Sequence, residues 1–269
     1  MTRHYKLNVK RLMRIKQIYF LLFIIFLQFS CTKTEDFKVL HQVTGGMETN
    51  CYLIYGLKSR EAALIDPGGP VDTLITFIKE NALDLKYIFI THGHIDHVLG
   101  IPAIKTLFPK VKMCIHKDEY RDLFTQKQWA IDNYGEGFID ELKSNPETKK
   151  FLDFDMHSLG VPDIFVEDNQ ILKLGMLEIQ LIQSPGHSPG GICYYTGNIL
   201  FSGDVLFYRT VGRTDSQNGS TDDQIKSVRK LYELFPDSTI VYPGHFQPTD
   251  IGSEKTGNER ITLDKQNMQ

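Results

Sequence analysis

Cysteine pairing is what this chain most plainly lacks. Of its four cysteines, none stands in a Cys-x-x-Cys pair. Cys51, Cys114 and Cys193 each lie inside a short apolar, strand-like run. Three is an odd number, no disulfide framework is legible, and these residues read as small buried hydrophobes. An excess of basic residues is missing as well. The formal net charge is −3, and residues 1–30 hold six Lys/Arg with no Asp/Glu, so the remainder carries 24 basic against 33 acidic residues. That balance argues against nucleic acid as a partner, because phosphate binding leans on clustered Lys and Arg. No sequence repeats at a solenoid period, and no internal linker interrupts the chain. The 269 residues, 41% hydrophobic and 23% charged, suit one large soluble domain or two small ones.

The first thirty residues read as an address. Arg3, Lys6, Lys10, Arg11, Arg14 and Lys16 form a basic region ahead of the apolar run 18–29, which is broken only by Gln28. Twelve residues are too few to span a bilayer comfortably, and the layout is that of a secretory signal. The Ser30-Cys31 junction resembles a bacterial lipoprotein lipobox, with Gln28 where Leu is usual. Lipidation at Cys31 and an uncleaved N-terminal anchor are the two readings. Both expect an extracytoplasmic, membrane-anchored protein of the periplasm or cell envelope. The leader is taken as residues 1–31 and the folded domain as 37–265.

Strand-like and helix-like segments then alternate. Tyr52-Leu53-Ile54-Tyr55 and Ala62-Ala63-Leu64-Ile65 bracket a polar turn, as in a hairpin. Asp66-Pro67-Gly68-Gly69-Pro70 breaks the second strand, and Val71, Leu74, Ile75 and Ile78 keep the spacing of an amphipathic helix. A helix is expected over 102–108, with Pro102 in its first turn, and a strand over 111–115. Residues 117–150 hold no strand pattern and predict one or two helices, which either cover the site or pack in the ordinary way. Strands over 171–174, 177–182, 192–195 and 199–201 predict a second, more antiparallel sheet. A helix opens at Ser220-Thr221-Asp222-Asp223, and a last strand covers 239–242. The fold expected is α/β, with two sheets packed together and helices outside.

The chemistry concentrates in Thr91-His92-Gly93-His94-Ile95-Asp96-His97, directly after the apolar run Tyr87-Ile88-Phe89-Ile90. That run reads as a buried parallel strand, and ligands of open α/β sheets gather at the carboxyl ends of strands. In an extended exit His92 and His94 share a face, Asp96 follows on the same side, and His97 steps off it. The spacing therefore points to metal ligands directed into two neighbouring pockets. Three later positions share the same grammar of apolar strand, break and ligand-type residue. They end in Pro185-Gly186-His187, Ser202-Gly203-Asp204 and Pro243-Gly244-His245.

With these motifs the chain resembles the metallo-β-lactamase fold superfamily, from about residue 50 to about residue 258. His-x-His-x-Asp-His is matched by His92, His94, Asp96 and His97, and the later motifs by His187, Asp204 and His245. Within the superfamily it looks most like the short bacterial glyoxalase II-like branch, through Asp66-Pro67-Gly68-Gly69, Gly203-Asp204-Val205-Leu206-Phe207 and Gly212-Arg213-Thr214-Asp215. The resemblance implies a four-layer αββα sandwich of two mixed sheets. It implies a first metal on His92, His94 and His187, a second on Asp96, His97 and His245, and Asp204 bridging both. Asp96 is also the candidate catalytic residue. Imidazoles and carboxylates suit two divalent ions, Zn first and Fe or Mn as alternatives. Asp66 reads either as a residue orienting a ligand histidine or as a plain turn residue.

The activity so implied is hydrolysis of a small-molecule thioester of the S-lactoylglutathione kind by a hydroxide shared between two metals. Two alternatives are a persulfide dioxygenase with one iron, whose relatives often carry Pro-Ala-His in place of Pro-Gly-His, and a lactonase or β-lactamase-type hydrolase. The branch's usual Gly-Pro after Pro-Gly-His is Phe246-Gln247 here, a bulky residue beside the last ligand. Full-length glyoxalase II carries a helical domain with glutathione contacts where this chain has 24 residues after His245. The resemblance therefore carries the fold and the metal site further than it carries glutathione.

Overall fold

Alternation along the strands decides the layers. The computed structural model describes residues 36–261, and the expected leader over residues 1–31 lies outside them. A first sheet runs β1 (Phe37–Thr44), β2 (Thr49–Gly56), β3 (Glu61–Ile65), β4 (Asp84–Phe89), β5 (Lys112–His116) and β6 (Ile164–Val166), in that spatial order. β1 to β3 form an antiparallel meander, and β3 to β6 are parallel. Parallel neighbours need crossovers. These are α1 (Asp72–Glu80), α2 (Ile101–Leu107), and the group α3 (Lys117–Asp122), α4 (Gln126–Ser144) and α5 (Pro146–Asp153).

The second sheet begins as the antiparallel run β7 (Ile171–Leu174), β8 (Leu177–Gln183), β9 (Ile192–Thr196) and β10 (Ile199–Gly203). Helix α6 (Thr221–Leu234) crosses over to β11 (Ile240–Pro243), parallel to β10. β12 (Thr249–Asp250) closes the edge before α7 (Ile251–Gly257). The Ser220 hydroxyl caps α6 by accepting from the Asp223 amide.

Leu53, Leu64, Ile88 and Met113 face outward onto Leu74 and Ile78 of α1 and Ile101 and Ile104 of α2. Their neighbours Tyr52, Ile54, Ala63, Ile65, Phe89 and Cys114 point the other way and meet Leu177, Ile179, Leu181, Tyr194 and Phe201 of the second sheet. That sheet's far face, with Cys193, Leu200 and Val241, lies under Val228, Leu231 and Tyr232 of α6. The result is the four-layer αββα sandwich. Cys51, Cys114 and Cys193 are free and buried, as small hydrophobes.

Differences from the sequence reading lie at the edges. Residues 117–150 lie across α3, α4 and α5, and α4 is itself two helices broken by a kink at Gly135 (φ +77°), while Asn145-Pro146 divides α4 from α5. β1, β6 and β12 are short or half-exposed edge strands, and only pairing with a neighbour defines them.

Candidate metal centre

The predicted site residues all follow the carboxyl ends of strands. His92, His94, Asp96 and His97 follow β4, His187 follows β8, Asp204 follows β10, and His245 follows β11. Asp66 leaves β3, and Glu119, unread in the sequence, sits in α3 directly after β5. The two sheets are joined here, since the Ile192 amide donates to the Thr91 carbonyl (2.8 Å). Beyond His94 the backbone does not stay extended. Residues Ile95–His97 form a 3-10 turn, and this turn brings Asp96 and His97 together on the His245 side, with the His97 ring centroid still 4.0 Å from that of His92. The expectation that Asp96 shares the histidines' face therefore fails, because a 3-10 turn replaces the alternation of a strand.

Two clusters result. In the first, His94 Nδ1 lies 3.1 Å from His92 Nε2 and 2.8 Å from His187 Nε2. In the second, Asp96 Oδ2 lies 3.2 Å from His245 Nε2 and 3.5 Å from His97 Nε2. Asp204 stands between them. Its Oδ2 is 3.4 Å from His187 Nε2 and 3.6 Å from His245 Nε2, and its Oδ1 is 3.5 Å from His97 Nε2. Each set could hold an ion, with ligand atoms mutually within 4.8 Å, and His92, His97 and Asp204 form a third such set that joins the two.

Three outer hydrogen bonds fix which nitrogen faces inward. His97 Nδ1 donates to Asp66 Oδ2 (3.0 Å), and His187 Nδ1 donates to the Arg213 carbonyl (2.7 Å). Thr91 Oγ1 donates to Asp66 Oδ2 (2.6 Å), so it receives the proton of His92 Nδ1 (3.0 Å). In all three rings Nε2 is thereby the nitrogen that faces the centre, the atom a metal would take, as a free lone pair in neutral His92 and His187 and in place of a proton on His97. Of the two roles open to Asp66, the geometry shows the orienting one, and its second oxygen accepts from the Thr91 amide (2.8 Å).

A metal fits this set on an independent count. His97 Nε2 and Asp204 Oδ1 are buried and have no hydrogen-bond partner. Buried polar atoms of a native fold are ordinarily satisfied, and a cation between these two would satisfy both. The electrostatics agree. Burial pushes His94 down to about 3 and His187 down to about 4, and holds His92 well below the usual range, so the first cluster offers neutral imidazoles. In the second, burial also opposes charge on His97, but Asp96, Asp204 and Asp66 outweigh it and raise the group to about 10. Burial opposes ionisation of Asp96 too, and the surrounding histidines overcome it, leaving its carboxyl below the ordinary range. Positive charge is favoured at the second cluster, the condition under which a divalent ion binds.

Several supports escape sequence reading because their partners are remote. Glu119 is buried, and its two oxygens accept from the Gly93 amide (2.7 Å) and the Gly190 amide (2.6 Å). It thus clamps the His92–His94 loop to the loop after His187. Gln224 of α6 accepts from the His187 amide (2.8 Å) and donates to the Val205 carbonyl (2.7 Å). Thr49 donates to Asp96 Oδ2 (2.9 Å). No local motif marks these residues. Gly244 is required by space, since a Cβ there would lie 2.3 Å from Asp204 Oδ1 and 2.8 Å from His97 Cε1.

The clusters open into a cavity of about 980 Å³ lined on its far side by α4 and α5. Trp129, Tyr134 and Phe138 line it, and α4 has no fully buried residue. Of the two readings of residues 117–150, α4 therefore matches a cover over the site. Tyr134 ties it down, donating to the Asp215 carbonyl (3.0 Å) and accepting from the Arg213 guanidinium (2.9 Å).

Two adjoining His/Asp clusters at the strand ends of an αββα sandwich define a class of metal-binding enzymes. The chain belongs to one such group, the metallo-beta-lactamase superfamily of hydrolases, whose sequence model matches residues 44–245. It is 33% identical over 214 residues to the hydroxyacylglutathione hydrolase GloC of Haemophilus influenzae, covering 78% of this chain and 92% of that protein. Among solved structures it resembles the BLEG-1 B3 metallo-beta-lactamase, with a TM-score of 0.66 and 29% identity over 84% of this chain and all of that one. ETHE1 from Myxococcus xanthus gives a TM-score of 0.64 and 27% identity, covering 83% of this chain and 84% of the other.

Proposed function

We propose that this superfamily member is a dinuclear metal hydrolase that cleaves small-molecule thioesters, in the manner of glyoxalase II. The single observation that carries the reading is the place of Asp204, within 3.6 Å of ligand nitrogens in both clusters. Similarity to GloC supports the thioester. His92, His94 and His187 would hold one divalent ion and Asp96, His97 and His245 the other, with zinc the metal proposed. Ions bound there supply an acidified water and polarise the acyl carbonyl.

The chain's own residues do the rest. Asp66, Thr91, the Arg213 carbonyl and Glu119 keep the ligand geometry preorganised, so little reorganisation accompanies reaction. Asp96, ionised and lining the cavity, would act catalytically by orienting the attacking water, since the histidines around it hold its carboxyl below the ordinary range and make it a weak base. The cover of α4 limits the access of bulk water to the reacting carbon.

Metal analysis of the purified protein, followed by S-lactoylglutathione, model thioesters, lactones and β-lactams, tests the proposal. Two ions per chain and chelator-sensitive thioester cleavage are expected. A protein loaded with two ions that leaves every thioester intact sinks it, and turnover of lactones or β-lactams alone selects the other hydrolase reading. The likeness to ETHE1 raises the persulfide dioxygenase reading, with one iron on His92, His94, His187 and Asp204. Gly244 speaks against it, because the alanine of that pattern would collide with Asp204 as placed here. Oxygen consumption with glutathione persulfide separates the two. The extracytoplasmic, lipid-anchored address rests on residues 1–31, and fractionation of cells with and without Cys31→Ser tests it.

A further inference from the structure

The cavity above the metal clusters is larger than a lactoyl-sized acyl group would fill. At about 980 Å³ it stands at the upper end of ordinary ligand pockets, roughly 300–1,000 Å³. Away from the ligand residues its lining is mainly apolar, with Trp129, Phe138, Ile139, Leu142, Phe151 and Phe207 among its walls. Phe138, Ile139, Leu142 and Phe151 are each half-buried, and α4 has no fully buried side chain, so this helical cover turns its apolar residues toward the cavity. Lysine and arginine are scarce in the cavity. Arg213 pairs with Asp215 (3.0 Å) and Tyr134, and Lys127 donates to the Leu152 carbonyl. Arg213 and Lys127 are the two lysine or arginine side chains among the cavity's lining residues, and both stand at its exposed rim, so the apolar walls offer no cation to the two carboxylates of a glutathione peptide.

Phe246 adds a second, independent sign. Its backbone is left-handed, with φ +67°, a conformation that costs a bulky residue about 1–2 kcal/mol and suits glycine. Its ring is nonetheless 64% exposed, lying over the site with its centroid 5.3 Å from that of Phe207. Strain kept for an exposed aromatic beside reactive groups makes Phe246 a candidate for contact with substrate.

We propose that the substrate is a thioester whose acyl part is a long hydrocarbon chain, seated from the metal clusters past Phe246 along the inner face of α4 and α5. This rests on the hydrolase reading above and names its substrate class. Each methylene buried there should raise kcat/KM about fourfold until the cavity is filled.

Trp129 is the chain's single tryptophan, so its fluorescence reports occupancy without any turnover. The holoprotein is titrated with two uncleavable probes, S-dodecyl-N-acetylcysteamine below its micelle concentration and S-methylglutathione. The dodecyl thioether is expected to shift Trp129 emission to the blue and saturate, and the glutathione thioether to leave it unchanged. Phe246→Gly, which relieves backbone strain and so keeps the fold, should weaken the dodecyl probe at least tenfold, as should Leu142→Ser. The ratio of kcat/KM for dodecanoyl over acetyl thioesters should fall with them. Saturation by S-methylglutathione alone, or thioester turnover indifferent to chain length, overturns this inference and leaves the hydrolase reading standing. Binding of the dodecyl probe with no thioester cleaved does the reverse.

Discussion

Glu119→Gln should loosen the metal centre without touching a ligand. Both carboxylate oxygens are committed, one to the Gly93 amide at 2.7 Å and one to the Gly190 amide at 2.6 Å. Glutamine keeps one acceptor and turns an NH2 group toward the other amide, so one buried N–H loses its partner. A buried donor left unsatisfied costs about 1–3 kcal/mol. Glu119→Ala orphans both amides and costs about 2–6 kcal/mol, against a total stability typically of about 5–15 kcal/mol. The alanine variant can therefore unfold outright, and the glutamine variant is the informative one. Urea denaturation of metal-loaded and metal-stripped protein measures the stability loss, and competition with a chromophoric chelator measures metal affinity. Groups that hold ligand loops in place typically change affinity about 10–100-fold when removed. A glutamine variant indistinguishable from the parent in both assays would show that Glu119 does not set the relative placement of the His92–His94 and His187 loops.

The same residue predicts a pH dependence. Burial raises its carboxyl from 4.5 to about 7, against the lowering effect of the two amides. A raised carboxyl favours the folded state while protonated, so its contribution is present below pH 4.5 and is lost as pH rises through 7. The stability of wild type relative to Glu119→Gln should therefore fall as pH rises from 4.5 through 7, so the loss caused by the glutamine substitution is largest at the acid end, and parallel stability–pH curves would contradict the assignment. Asp66→Asn should lower metal affinity about 10–100-fold by unsettling His97 and Thr91, as chelator competition would detect, and an unchanged affinity would remove Asp66 from its orienting role. Gly244→Ala should displace Asp204 and take metal content from two ions per chain toward one, and retention of two ions by elemental analysis would refute the steric argument.

The ligand set is legible in the chain because its chemistry is local. Four metal-capable side chains in one heptapeptide, and three more after strand-and-break patterns, need no tertiary knowledge to be noticed. The buried strands β2 to β5 and β8 to β10 are legible for a similar reason, since continuous apolar runs and hairpin turns are properties of neighbours in sequence. Tertiary structure decided what depends on distant partners. The heptapeptide divides into two clusters through the 3-10 turn at Ile95–His97, not through strand alternation. Glu119, Gln224 and Thr49 look like ordinary polar residues until β5, α6 and β2 carry them to the ligand loops. The apolar lining of α4 reads in sequence as either packing or cover, because helical periodicity shows that a face is apolar but not what lies opposite. Here most of what lies opposite is the cavity above the metal clusters.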